Sequence, residues 1–223
     1  MAFIRPYKPS DSEAMAHICR ATLPPSLEAS EPARRLAPYV WTHQYTHLSP
    51  ATCFVLDAGD GTPVGYCIGC PDVPAFCAAY AAYTTAVLDP SPDVRRPPAH
   101  CDPAVKAPWL VDGLVSETAL AQMAYFPQWL LLDGNEDLLC AYKATMHIDL
   151  LDEWQRRGWG RKLIETFVAS VRDMRMQDGS DSRGIWLGVA GDNAKVVPFY
   201  QKVGFKVKER AVKTSSITMV RDY

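Results

Sequence analysis

Gln155-Arg156-Arg157-Gly158-Trp159-Gly160-Arg161 decides how this chain folds. An apolar run, Thr145 to Leu151, precedes it, and an amphipathic run begins near Gly160. The order predicts a strand, a glycine-bearing turn and then a helix. The start of a helix leaves N–H groups without intrahelical partners and presents the positive end of the helix dipole. Gly158 and Gly160 carry no side chains, so an anion can approach the main chain closely. Arg156, Arg157, Arg161 and Lys162 add positive charge and forked donors. The same heptapeptide also reads as a plain glycine turn opening a surface helix with solvated arginines.

Downstream, Asn193-Ala-Lys-Val-Val-Pro-Phe-Tyr-Gln-Lys-Val-Gly-Phe205 supplies a second signal. Together the two segments resemble the GNAT family of acetyl-CoA-dependent N-acetyltransferases. That family carries a Q/R-x-x-G-x-G/A turn after its fourth strand and an N-x-x-A-x-x-x-Y-x-K-x-G-F segment near its C-terminus. The spacing matches, with Val196 where alanine is usual. Residues 144–207 carry the resemblance, and Phe3 to Asp11 with the helical pattern after it is similar to the family's first strand and helix. A narrower likeness, on Tyr142 to Leu151 running into the arginine-glycine turn, is to the acetyltransferase-like domains related to the C-terminal part of O-GlcNAcases.

The resemblance implies an α/β (α+β) fold, a mixed and mostly antiparallel central sheet flanked by helices. It also implies that the fourth and fifth strands splay apart to admit acetyl-CoA as cosubstrate. Residues 1–223 are expected to form a single domain of this kind. Ile148, Leu150 and Leu151 would offer backbone groups to the pantetheine amides, as a sheet edge offers a ladder. Gln155, Arg156, Arg157, Gly158, Trp159, Gly160, Arg161 and Lys162 would hold the pyrophosphate. Asn193 would be a further contact to the pantetheine arm; the competing reading is a helix cap. Tyr200 matches the family tyrosine near the thioester sulfur, and a phenol, with a pKa of about 10, can protonate a departing thiolate. Asp149 is the candidate base, because a carboxylate in an otherwise apolar strand is costly unless it has a partner or a role. Alternation puts His147 and Leu151 on its face, and His147 is the second candidate base. Asp192 reads as a substrate contact or, more simply, a cap.

The bulk composition narrows the alternatives. The chain has 223 residues, 48% hydrophobic and 22% charged, with a net charge of −2. That balance argues against a broad nucleic-acid surface. No apolar run approaches a membrane span and no secretory leader is seen. Seven cysteines without secretory context point to reduced thiols in a cytoplasmic or nuclear setting. Cys67-Ile-Gly-Cys70 lacks the second pair a zinc site would need, and its spacing in a strand sends the two side chains to opposite faces; no metal is expected.

Along the chain, residues 2–7 read as a strand, Ser10 to Glu13 as a capping box opening a helix, and Glu31 to Leu48 as one further helix. Cys53–Leu56 and Val64–Ile68 read as a hairpin. Residues 71–143 form a large insertion between the third and fourth strands. It holds six prolines within Asp89–Pro108. Its aromatics, Phe76, Tyr80, Tyr83, Trp109, Tyr125, Phe126 and Trp129, are expected either to wall the acceptor side of the site or to form a small core or dimer contact of their own. Leu163, Ile164, Phe167, Val168, Val171 and Met174 form the core stripe of the helix after the turn. Pro198 would cost about 3 kcal/mol inside a helix, so the last helix is expected to start near Ala194 with Pro198 in its first turn.

Two functional readings follow. One is an N-acetyltransferase acting on an amine acceptor, small or protein-borne. The other is a catalytically weak module that recognises coenzyme A, protein or glycan. A nucleotide-binding protein is disfavoured, since neither G-x-x-x-x-G-K-[ST] nor G-x-G-x-x-G occurs. The acceptor's identity and a homodimeric assembly stay open at this level.

Overall fold

The computed structural model describes residues 1–98, 110–111, 114–179, 181–211 and 216–223, with the backbone alone at 110, 111, 178 and 192. Its chain-order strands are β1 (Phe3–Pro6), β2 (Phe54–Asp57), β3 (Pro63–Cys70), β4 (Leu110–Val111), β5 (Leu114–Val115), β6 (Ala144–Leu150), β7 (Gly184–Ala190), β8 (Lys206–Val207) and β9 (Ser216–Asp222). Seven of them form one sheet in the order β1-β2-β3-β6-β7-β9-β8, and β4 and β5 pair separately. All neighbours in the large sheet are antiparallel except β6 and β7. This is the mixed, mostly antiparallel sheet expected, with β6 as its fourth strand and residues 71–143 lying between the third and fourth.

Alternation along the strands builds two cores. Ala144 and Met146 of β6, with Ile185, Leu187 and Val189 of β7, pack against Leu163, Ile164, Phe167, Val168 and Val171 of α10 (Trp159–Asp178). Val55, Tyr66, Ile68, Cys70 and Trp186 face the other way. They meet α1 (Ser12–Ala21), α3 (Glu31–Trp41), α4 (His43–Leu48) and the helices of the insertion. Those include α5 (Val73–Ala78), α6 (Tyr80–Tyr83), α7 (Glu117–Tyr125), α8 (Gln128–Leu131) and α9 (Glu136–Leu139); the short α2 (Pro25–Glu28) leads into α3. Cys67 and Cys70 fall into different cores, so they do face opposite sides of the sheet.

Three local expectations are corrected. First, Asp11, not Ser10, leads into α1, and no side chain caps it. Asp11 instead accepts the backbone N–H of Lys8 at 2.8 Å and pairs with Arg5 at 2.7 Å, while Arg5 also reaches Asp57 at 2.8 Å. A buried carboxylate needs a countercharge more than a local cap needs an oxygen. Second, Glu31 to Leu48 is two helices, broken at Thr42 (φ −126°, ψ −61°). Third, the last helix, α11 (Val197–Lys202), starts later than Ala194, behind a 3-10 segment over Gly191–Val196. Pro198 does sit in its first turn, where the missing N–H has no helical partner.

Apart from the β4–β5 pair, the described residues of the insertion are largely helical and built into the second core. Phe76, Tyr80, Tyr83 and Tyr125 are buried. Tyr80 donates to Ala124 O at 2.8 Å and Tyr83 to Tyr39 O at 2.9 Å, so these phenols are spent on internal backbone acceptors. They are core residues, not walls of an open pocket. Phe126 and Trp129 are half-buried, with ring centroids 6.2 Å apart. Trp109, His100, Cys101 and the proline stretch beyond residue 98 lie outside the described residues.

Candidate active site

β6 is where the sheet opens. It pairs with β3 along its length, from Cys70↔Thr145 to Gly65↔Leu150. Towards β7 it pairs only at Ala144↔Ile185 and Thr145↔Trp186, while β7 continues against β9 to Ala190. Beyond Thr145 the two strands part, and the β7-facing edge of residues 146–150 has no ladder partner. Unpaired main-chain donors and acceptors on a strand edge are the groups an extended, amide-bearing ligand can bond.

One wall of this opening carries a polar chain. Tyr66 and Asp149 are direct cross-strand partners, as are Ile68 and His147. Tyr66 donates its hydroxyl to Asp149 Oδ2 at 2.5 Å, and His147 Nε2 lies 2.9 Å from the same oxygen. Thr42 Oγ1 lies 3.4 Å from the Tyr66 oxygen. The single Tyr66 proton goes to the carboxylate, so Thr42 is the donor of that second bond. The helix break at Thr42 thus places a buried hydroxyl against the strand. Burial raises the Tyr66 phenol well above its usual range, and the Asp149 charge adds to this. Burial pulls the His147 imidazole down, but the charge and hydrogen bond of Asp149 outweigh it, and the net shift is upward. Burial, with the Asp149 charge, pushes the neighbouring Cys19 thiol up to about 12, so it stays a protonated thiol.

Tyr200 enters from α11. Its ring packs edge-on to Phe205, with centroids 5.7 Å apart, and against Phe199 at 5.3 Å. Among the described residues its hydroxyl has no hydrogen-bond partner. Burial raises its pKa, with the charges of Asp149 and Cys67 contributing. A phenol so held keeps its proton at neutral pH, the state a proton donor requires.

The turn after β6 completes the opening. A 3-10 turn over Asp152–Trp154 leads to Arg156 in the left-handed region (φ 57°) and to Gly158, the N-cap of α10 (φ 83°). No side chain caps α10 and its first turn holds no acidic residue. Arg161 and Lys162 there oppose the helix dipole, an arrangement an external anion would relieve. The two glycines differ in purpose. A Cβ on Gly158 would meet nothing within 4 Å, so its role is its φ; a Cβ on Gly160 would lie 3.1 Å from Phe199 Cζ, so its role is space.

The remaining sequence candidates distribute as follows. Gln155 folds back, donating to Leu150 O at 2.8 Å and Asp152 Oδ1 at 3.0 Å, and so pins the turn to the strand end. Arg157 lies over the Trp154 ring at 5.6 Å, Lys162 over Trp159 at 4.4 Å, and Arg161 pairs with Glu165 at 2.8 Å. Arg156 is exposed and has no partner among the described residues. Ile148, Leu150 and Leu151 are half-buried; Ile148 and Leu150 lie on the parted stretch of β6, with the Leu150 carbonyl taken by Gln155, whereas Leu151 follows the strand and donates its N–H to Val64 O at 3.0 Å, so it offers no free N–H to a ligand. Asn193 is not a helix cap: it has φ −108° inside the 3-10 segment, Val196 is the N-cap of α11, and its amide has no partner among the described residues. The Asp192 side chain lies outside the described residues. Tyr66 and Thr42 escaped the sequence reading, and only a polar hydroxyl in each buried stretch hints at them. Among the described residues no cluster of three or more His, Cys, Asp or Glu could hold a metal.

A mixed sheet that opens beside an uncapped helix start, with a carboxylate and an unpartnered phenol at the opening, defines an acyltransferase. Residues 116–205 match the model of the acetyltransferase (GNAT) family. It is similar to the crystal structure of SsHAT, with 29% identity over 99% of this chain and 98% of that one and a TM-score of 0.76. It shares its fold with PaiA N-acetyltransferase from Thermoplasma acidophilum, solved in complex with coenzyme A. That likeness has 12% identity over 100% of this chain and 99% of that one, with a TM-score of 0.54. The fold is likewise that of PH1933 from Pyrococcus horikoshii OT3, at 14% identity over 100% and 99% of the two chains and a TM-score of 0.56.

Proposed function

We propose that this chain moves an acetyl group from acetyl-CoA to an amine acceptor by direct transfer, with Asp149 as base and Tyr200 as acid. The observation that carries the reading is the parting of β6 from β7 after Thr145, on the strand that carries Asp149. The residues present fit the cosubstrate. The parted edge of β6 at Ile148 suits amides in an extended arm, with Leu150 and Leu151 beside it, Asn193 offers a side-chain amide with no partner among the described residues, and the uncapped start of α10 with Arg156, Gly158 and Gly160 suits a pyrophosphate. Bound there, acetyl-CoA supplies the activated acetyl group.

The protein's part is to hold two protons in the right places. Asp149 takes the proton that the acceptor nitrogen loses as the N–C bond forms. Tyr200 gives its proton to the sulfur as the C–S bond breaks, and solvent exchange then restores both groups. A second reading has one observation in its favour. The His147 side chain is 35% exposed against 17% for Asp149, so His147 could meet the amine with Asp149 orienting it. The test of the activity is acetyl-CoA turnover against an amine panel, followed by release of free thiol. Acceptor-dependent thiol release supports transfer; acetyl-CoA binding without it on any amine supports a recognition module instead.

A further inference from the structure

We propose that Tyr66, itself held by Thr42, is the positioning residue that clamps Oδ2 of Asp149 and leaves Oδ1 as the oxygen that accepts the acceptor's proton. The inference rests on Asp149 being the base. It goes beyond that reading by assigning work to a residue that never meets substrate.

A carboxylate has two oxygens, and both polar neighbours of Asp149 converge on one of them: the Tyr66 hydroxyl at 2.5 Å and His147 Nε2 at 2.9 Å, both on Oδ2. Among the described residues, nothing bonds Oδ1. Tyr66 is rigid, because its side chain is fully buried and β3 fixes it directly opposite Asp149. The Thr42 hydroxyl, 3.4 Å away and buried, orients the phenol from behind. A hydroxyl-to-hydroxyl-to-carboxylate chain inside a core is costly unless every member is satisfied, and here each donor finds an acceptor. Such a chain fixes the carboxylate rotamer, which is what a base must have to meet a nitrogen at bonding distance.

The groups that sense the Asp149 charge come from every element around it: His147 on its own strand, Tyr66 and Cys67 on β3, Cys19 on α1 and Tyr200 on α11. Of these, Tyr66 and His147 are in direct contact with the carboxylate.

The test compares Tyr66→Phe, Thr42→Val and Asp149→Asn in the full chain, with the best acceptor from the amine panel. Tyr66→Phe keeps the buried ring and deletes one hydroxyl. It is expected to lower kcat by about ten- to a hundredfold through loss of alignment. It should leave acetyl-CoA affinity and the acceptor KM unchanged, so that the loss falls on kcat alone. Thr42→Val should lower kcat in the same way by less, and it carries the test if Tyr66→Phe does not fold. A folded Tyr66→Phe or Thr42→Val enzyme with wild-type kcat would overturn the proposal, provided Asp149→Asn is inactive. Full activity in Asp149→Asn would instead overturn the base assignment, and the positioning role would fall with it.

Discussion

Thr145 Oγ1 donates to Trp186 O at 3.0 Å, and this bond ties β6 to β7 at the last paired position before the strands part. Thr145 is buried, so water cannot replace the bond. Thr145→Val keeps the shape and removes the donor. It is expected to cost about 1–2 kcal/mol of stability, read as a lower urea midpoint with an unchanged slope. Stability equal to wild type would mean that the tie at the apex contributes nothing.

The two turn glycines separate binding from chemistry. Gly158→Val puts a branched side chain at φ 83°, which strains the turn although its Cβ meets nothing within 4 Å. Acetyl-CoA affinity is expected to fall about tenfold, the equivalent of roughly 1–2 kcal/mol of backbone strain. Gly160→Ala presses on Phe199, whose ring neighbours Tyr200, so its main effect is expected on kcat. Titration calorimetry beside steady-state kinetics reads both. Equal acetyl-CoA affinity in wild type and Gly158→Val would remove the pyrophosphate from this turn.

His147 makes stability depend on pH. Its folded pKa is raised above the ordinary 6.5. The protonated form is therefore favoured by folding. Its contribution is complete below pH about 6.5 and fades as pH rises through the higher folded value. The melting temperature of wild type minus that of His147→Gln should be largest in mild acid and shrink towards alkaline pH. A difference independent of pH would show that the imidazole never charges beside Asp149.

Tyr200→Phe should lower kcat by about a hundredfold or more if the phenol is the acid. Acetyl-CoA affinity and folding should barely change, because the hydroxyl has no partner among the described residues. Unchanged kcat with reduced stability would make Tyr200 a packing residue between Phe199 and Phe205.

Much of this arrangement could be read from local pattern. The apolar runs at 53–56, 64–68 and 145–151 pointed to the strands observed at 54–57, 63–70 and 144–150, and the glycines at 158 and 160 followed by a 3.6-residue stripe pointed to α10, because those signals are local. The parting of β6 and β7 came from family resemblance, not from any residue in the strands. The Tyr66–Asp149 bond spans 83 residues. Its existence depends on strand register after the insertion has packed, which no window along the chain contains. Thr42 was hidden for a related reason. Its neighbours favour helix on both sides, and the break that turns its hydroxyl towards Tyr66 is imposed by tertiary packing. The insertion's tyrosines looked like pocket walls because an aromatic is equally at home in a wall or a core; their hydroxyls, bonded to Ala124 and Tyr39 backbone, decide for the core.

The most direct test of the central claim is the kcat/KM of Asp149→Asn for the acceptor, measured beside its acetyl-CoA affinity. Asparagine keeps the shape of the side chain and deletes the charge. The account predicts a fall of about 10²–10⁴ in kcat/KM with acetyl-CoA affinity unchanged. Wild-type kcat/KM in a folded Asp149→Asn protein would contradict it.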